Sequence, residues 1–307
     1  MRFVCALAAV GLLAGCPARE IDGNPPPHFA ILDDLDRTPD PACEGHWVAG
    51  IRGRVIDARG AGVAGATVQH CLRLTDGRFV CTSPPTAADG TVQLEMTDDA
   101  GWYAYVFDPE VRCVDELTVR VLRRSMPTRY ATAYCPVELD PDAAVQLLPH
   151  PAVLHPVDEP SALPPPGDEA APRDVALPDG VTLTDVVPGA LYGDYEALRG
   201  ASLPTDPNHC FLRSFENLET LLGLYALAPE VESAEPIGLR LPNDADLAEG
   251  STVTLYALGG LATLRPDGEA IPEGAFQAFG TATVVGDVLV SDPGVALPAT
   301  SVIGWGR

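Results

Sequence analysis

Residues 51–68 read Ile51-Arg52-Gly53-Arg54-Val55-Ile56-Asp57-Ala58-Arg59-Gly60-Ala61-Gly62-Val63-Ala64-Gly65-Ala66-Thr67-Val68. Ile51, Gly53 and Val55 alternate with Arg52 and Arg54, which puts one side-chain set on each face of an extended chain. Arg59-Gly60-Ala61-Gly62 then supplies a turn. The same alternation returns at Val92, Leu94 and Met96, and again at Leu117, Val119 and Val121. Asp76-Gly77, Asp89-Gly90 and Asp99-Ala100-Gly101 punctuate the runs. Six or seven short strands at this spacing predict a β-sandwich over residues 46–150.

Further along, residues 181–307 carry the same period. Val253, Leu255 and Ala257 alternate with Thr252, Thr254 and Tyr256, and Gly286-Asp287 between two β-branched runs predicts a compact hairpin. Phe211, Phe215, Leu218 and Leu222 follow helical spacing and predict a short helix ahead of a strand over Leu222–Leu227. Between the two β-rich regions, residues 136–180 hold 11 prolines and nine acids against one base. Val145-Gln146-Leu147-Leu148 reads as the last strand of the first region, and residues 151–180 read as a linker. The whole is all-β: two β-sandwich-like domains, 46–150 and 181–307, joined by Pro-rich acidic linkers.

The start of the chain carries an export signal. Arg2 is followed by the apolar run Phe3–Ala14, too short to span a bilayer and suited to a signal peptide over residues 1–15. Leu13-Ala14-Gly15-Cys16 resembles a bacterial lipobox, which implies that Cys16 becomes a lipidated N-terminus and anchors the chain to a membrane, the outer membrane being the expected one. Residues 16–45, with six prolines and seven acids against two bases, read as a tether.

Acids number 43 and bases 19, for a net charge of −24. That surface repels phosphate backbones, so nucleic acid is not an expected partner. All 19 bases are Arg, and the absence of Lys excludes Schiff-base chemistry. Of eight cysteines, Cys5 leaves with the signal and Cys16 takes lipid. Cys43, Cys71, Cys81, Cys113, Cys135 and Cys210 remain, an even set in an exported chain, and predict three disulfides from 15 pairings. Cys71 and Cys81 flank Asp76 symmetrically. A three-residue turn over Thr75-Asp76-Gly77 sets them opposite each other, whereas a two-residue turn sends them to opposite faces. Cys113 and Cys135 bracket an expected hairpin, which leaves Cys43 to pair with Cys210.

Gly53-Arg54-Val55-Ile56-Asp57, Gly60, Val63-Ala64-Gly65-Ala66-Thr67-Val68 and Thr97-Asp98-Asp99-Ala100-Gly101-Trp102-Tyr103 together resemble the carboxypeptidase regulatory-like domain. The resemblance implies a transthyretin-like seven-stranded sandwich without catalytic residues of its own. Gly62 replaces the family's usual Pro, and residues 71–96 add an extra hairpin. Pro242-Asn243, Leu247-Ala248-Glu249-Gly250, Phe279-Gly280-Thr281 and Ser291-Asp292-Pro293-Gly294 resemble a β-module of myxobacterial surface proteins, which implies a structural or interaction unit.

Catalytic signatures are missing from the sequence. There is no G-x-S-x-G, P-loop or H-E-x-x-H, and Asp33-Asp34-Leu35-Asp36 and Asp98-Asp99 lack calcium-loop spacing. Both acidic runs read as solvated surface. His150 and His155 fall in the proline-rich stretch, where no rigid element is expected to hold a metal, and His70 reads as a satisfied core or surface residue. The expectation is a non-enzymatic surface or periplasmic envelope protein without cofactor, a structural module or one that binds a ligand, protein or polysaccharide. A secreted hydrolase with an unrecognised carboxylate site, and a carrier of a small ligand, are the alternatives.

Overall fold

The computed structural model describes residues 25–63, 66–82, 93–97, 100–122, 130–157, 171–192, 197–206, 209–213, 215–216, 218–260, 263–265 and 267–307. These form an all-β protein. Its first half holds β1 (His46–Trp47), β2 (Gly50–Asp57), β3 (Thr67–Leu74), β4 (Phe79–Thr82), β5 (Leu94–Met96), β6 (Trp102–Val106), β7 (Cys113–Leu122), β8 (Ala133–Val137), β9 (Val145–Leu147) and β10 (Ala152–Leu154). They make two five-stranded sheets. In one, β7 lies between β3 and an edge shared by β1 and β8, with β4 beyond β3. In the other, β2 lies between β6 and an edge shared by β9 and β10, with β5 beyond β6. The sheets face each other over Ile51, Val55, Val68, Leu72, Tyr103, Tyr105, Val119 and Val121. These are the inward sets of the period-two runs, and burying each large apolar side chain contributes about 1.5–3 kcal/mol.

The hairpin β3–β4 settles the turn alternatives. Leu74 N–H bonds Arg78 O at 2.9 Å and Gly77, at φ +84°, closes a three-residue loop. Cys71 therefore faces Cys81, and the two are disulfide-bonded. The other pairings differ from expectation: Cys43 bonds Cys113, and Cys135 bonds Cys210. The reason is register. Cys135 sits opposite Val119 on β7, far along the strand from Cys113 at its start.

Two stretches expected to be free chain are docked. Phe29 and Leu32 are buried against Trp102 and Ala104 on the outer face of β6. Arg112 pins the segment by donating to Asp36 O at 3.2 Å, and Cys43 ties its end to β7. Four apolar residues hidden among prolines and acids, Phe29, Ile31, Leu32 and Leu35, are enough to cover that face. In the expected linker, Ala152-Val153-Leu154 is β10, parallel to β2, and Arg173–Ala176 is β11 of the second half. The most proline-rich part, 158–170, lies outside the described residues, as do residues 1–24 with Cys16.

Besides β11 (Arg173–Ala176), the second half holds β12 (Thr182–Val186), β13 (Leu191–Tyr192), β14 (Arg199–Leu203), β15 (Leu221–Ala228), β16 (Glu232–Ser233), β17 (Gly238–Pro242), β18 (Thr252–Leu258), β19 (Phe276–Val285), β20 (Val288–Ser291) and β21 (Val302–Gly306). Nine of them form one antiparallel sheet in the order β11-β12-β17-β20-β19-β18-β21-β15-β14, and β13 pairs with β16. The sheet curls so that its ends meet: the Asp179 carboxylate accepts from Ser202 N–H at 3.0 Å, and Tyr225 donates to Pro178 O at 3.0 Å. Leu183, Leu239, Leu255, Val284, Ile303 and Trp305 share the interior. Gly286, at φ +63°, turns β19 into β20 as the sequence predicts. The expected short helix is two single 3-10 turns, Cys210–Leu212 and Leu218–Thr220, and β15 follows directly.

β15 explains the ambiguity of its own sequence. Its residues are buried on both faces, Tyr225 and Leu227 toward the curled interior, Leu224, Ala226 and Ala228 toward the first half. A strand covered on both sides shows a continuous apolar run instead of alternation. Leu224, Tyr256, Leu258, Phe276 and Val302 share one cluster with Ala131, Tyr134 and Val157. The two halves are thus joined by an apolar seam, not only by chain.

Candidate functional site: a histidine-lined cleft at the seam

A cleft of about 340 Å3 opens where the halves meet, lined by Ile56, Asp57, Ala58, Gly60, His150, Pro151, Val153, His155, Pro204, Asp206 and His209. Three elements position it. β2 ends at Asp57, whose carboxylate accepts from the Arg59 and Ala61 N–H groups and from the Arg59 guanidinium. His150 lies two residues before β10 and His155 directly follows it. The Cys135–Cys210 disulfide fixes the 3-10 turn that His209 precedes.

The imidazoles are held neutral. Burial pushes His150 and His155 down to about 4 and lowers His209, with Arg213 adding to the effect at His150. The His155 and His209 ring centroids lie 4.8 Å apart. His209 Nε2 is 2.8 Å from Pro204 O. A carbonyl only accepts, so Nε2 carries the proton and Nδ1 the lone pair. His155 Nε2 and His150 Nδ1 are buried without a hydrogen-bond partner. The proline-rich context hid this: a three-residue strand gives β10 too little pattern to be read, and its parallel partner lies about a hundred residues away.

A second polar cluster is closed. Arg120 donates to Glu230 at 3.3 Å and to Gln69 at 3.2 Å, and Tyr134 donates to Glu230 at 2.7 Å. Glu273 lies beside them, pushed up to about 7 chiefly by burial, while Arg120 opposes and Glu230 reinforces the shift. Two convergent carboxylates with one raised pKa are what a hydrolase would need. Here both Glu273 oxygens are buried and neither glutamate lines the cleft. The cluster is a polar joint.

The second half presents an open groove of about 820 Å3 that includes Asp185, Arg240, Ser291 and Asp292. Its motif residues are engaged structurally. Asp292 accepts from the Thr281 and Thr283 hydroxyls, and Ser291 Oγ accepts from Leu239 N–H at 3.0 Å. Ser291-Asp292-Pro293-Gly294 therefore locks the end of the β19–β20 hairpin.

Of the other sequence candidates, Asp33 pairs with exposed His28 at 2.8 Å and Asp36 caps Thr38 N–H. Asp98 and Asp99 lie outside the described residues. His70 is fully buried against Tyr105, Tyr103 and Phe107, with both ring nitrogens unpartnered, and burial lowers it to about 3. Among the described residues, one set of three His, Cys, Asp or Glu has donor atoms within 4.8 Å of one another, Cys71, Cys81 and Glu273, and its sulfurs are tied in the disulfide.

Fold and cysteines define an all-β, disulfide-stapled protein of a non-cytoplasmic, oxidising compartment. Among the described residues no helix is long and apolar enough to cross a membrane. No protein family, curated protein or solved structure matches the chain.

Proposed function

We propose that the chain is a lipid-anchored binding protein of the cell envelope, exported by residues 1–15, held by Cys16 on the outer membrane, and not an enzyme. The observation that carries the binding reading is the seam cleft, concave, partly apolar and walled by elements that a disulfide and a parallel strand hold in place. The lipobox-like Leu13-Ala14-Gly15-Cys16 supports the anchor. The likeness of residues 53–103 to the carboxypeptidase regulatory-like domain supports a non-catalytic first half.

Fractionation of cells expressing Cys16→Ala tests the anchor, with release from the membrane fraction as the expected result. Retention equal to the native chain would sink it. Substrate turnover by purified protein, abolished by replacing one acid or histidine, would overturn the non-enzymatic reading.

A further inference from the structure

We propose that His155 and His209 form a binding site for one divalent transition-metal ion of the zinc, copper or nickel type, with its remaining coordination positions open to the cleft. The proposal rests on the reading of the cleft as a binding site and names its ligand class.

Three observations converge. The ring centroids lie 4.8 Å apart with the rings tilted 45° to each other, close enough for both imidazoles to share one ion. Each ring has a nitrogen to offer: His155 Nε2 is buried without a partner, and the His209 proton is held on Nε2 by Pro204 O, leaving the Nδ1 lone pair. A carbonyl that orients the far nitrogen is the usual support of a metal-bound imidazole. The backbone beneath is fixed, since Cys210, bonded to Cys135, directly follows His209.

Chemistry selects the ion. Neutral imidazoles suit zinc, copper and nickel, whereas calcium and magnesium take oxygen cages that the cleft does not provide. An anion is disfavoured by Asp57 and Asp206 on the cleft wall and by a net charge of −24. Asp206, which acts electrostatically on His209, adds favourable charge for a cation. His150 is excluded from the set because Arg213 places a positive charge against it. Two protein ligands leave positions for water or for a donor group of a partner.

Calorimetric titration of the full chain with zinc chloride at pH 7.5 tests the site, with His155→Gln, His209→Gln and the double control His28→Gln/His46→Gln alongside. The expected result is one saturable site whose affinity falls at least tenfold in each cleft variant and is unchanged in the control. If a cleft variant fails to fold, substoichiometric Cu2+ added to the native chain is read by NMR, and the His155 and His209 ring signals should broaden before those of His28 and His46. Absence of a saturable site, affinity unaltered by both cleft variants, or first broadening at His28 or His46 would overturn the proposal. Each of these outcomes leaves the anchor intact. Conversely, membrane retention of Cys16→Ala would sink the anchor and leave a measured metal site standing.

Discussion

The Tyr134 hydroxyl donates a 2.7 Å hydrogen bond to the Glu230 carboxylate, and with it joins β8 of the first half to the loop after β15 of the second. Arg120 reaches the same carboxylate oxygen and lies 5.5 Å from the Tyr134 ring centroid. Glu230 is held in a partly dry place by donors that all come from the other half.

Tyr134→Phe keeps the ring and removes that donor. A hydrogen bond to a charged group is worth about 1.5–3 kcal/mol, and the carboxylate left behind keeps its desolvation cost. Urea unfolding of the variant should show a loss of that size. A change below about 0.5 kcal/mol would mean the joint contributes nothing to stability.

The Cys135–Cys210 bond closes a loop of sequence separation 75. Chain-entropy arithmetic gives about 4 kcal/mol for such a cross-link. The Cys135→Ala/Cys210→Ala double variant should lose stability on that order and weaken the coupling of the halves. Differential scanning calorimetry is expected to split one transition into two, and a single unshifted transition would contradict it.

Two kinds of buried group pull stability in opposite directions with pH. His70, His150 and His155 have folded pKa values of about 3, 4 and 4, below the usual 6.5. Their contribution is present above pH 6.5 and is lost as pH falls toward 4. Glu273, at about 7 against 4.5 in the unfolded chain, contributes most below pH 4.5, and that contribution is lost as pH rises through 7. His70 alone accounts for about 2 kcal/mol between pH 6.5 and 5. The histidines outnumber the single acid, so unfolding free energy should fall from pH 7 to 5. Glu273→Gln removes the opposing group and should steepen that fall while raising stability at pH 8. Equal slopes for the two proteins would refute the assignment.

His70→Phe tests the aromatic cage. It retains a ring among Tyr103, Tyr105 and Phe107 and deletes two unpartnered buried nitrogens. Stability at pH 5 is expected to rise by about 1–3 kcal/mol over the native chain. A loss at pH 5 would show that the imidazole is required where it sits.

Gly223 packs against Trp305, so that a Cβ there would fall 2.1 Å from the indole. Gly223→Ala must push that ring out of the curled interior, and overpacking of this kind costs about 1–3 kcal/mol. Trp305 fluorescence should shift to the red together with a lower thermal midpoint. An unchanged emission maximum would show that the strand yields instead.

Much of the strand content was legible because side-chain alternation is local. Ile51-Gly53-Val55 and Leu117-Val119-Val121 carry their burial pattern within a few residues, and Asp76-Gly77 and Gly286-Asp287 carry their turns in the backbone freedom of glycine. The presence of three disulfides was legible for the same reason, since an even set of six cysteines speaks without a fold. The partners of Cys43, Cys113, Cys135 and Cys210 were not, because pairing depends on where strands distant in sequence come to rest. Nor was the docking of Phe29 and Leu32, or the meeting of His155 with His209. Composition averages over such residues, whereas tertiary packing selects the few apolar or polar groups that face one another. The amino-acid order alone determined the all-β class and its hairpins, and only the assembled structure decided the seam, its disulfide and its cleft, because these arise from contacts between segments that share no local signal.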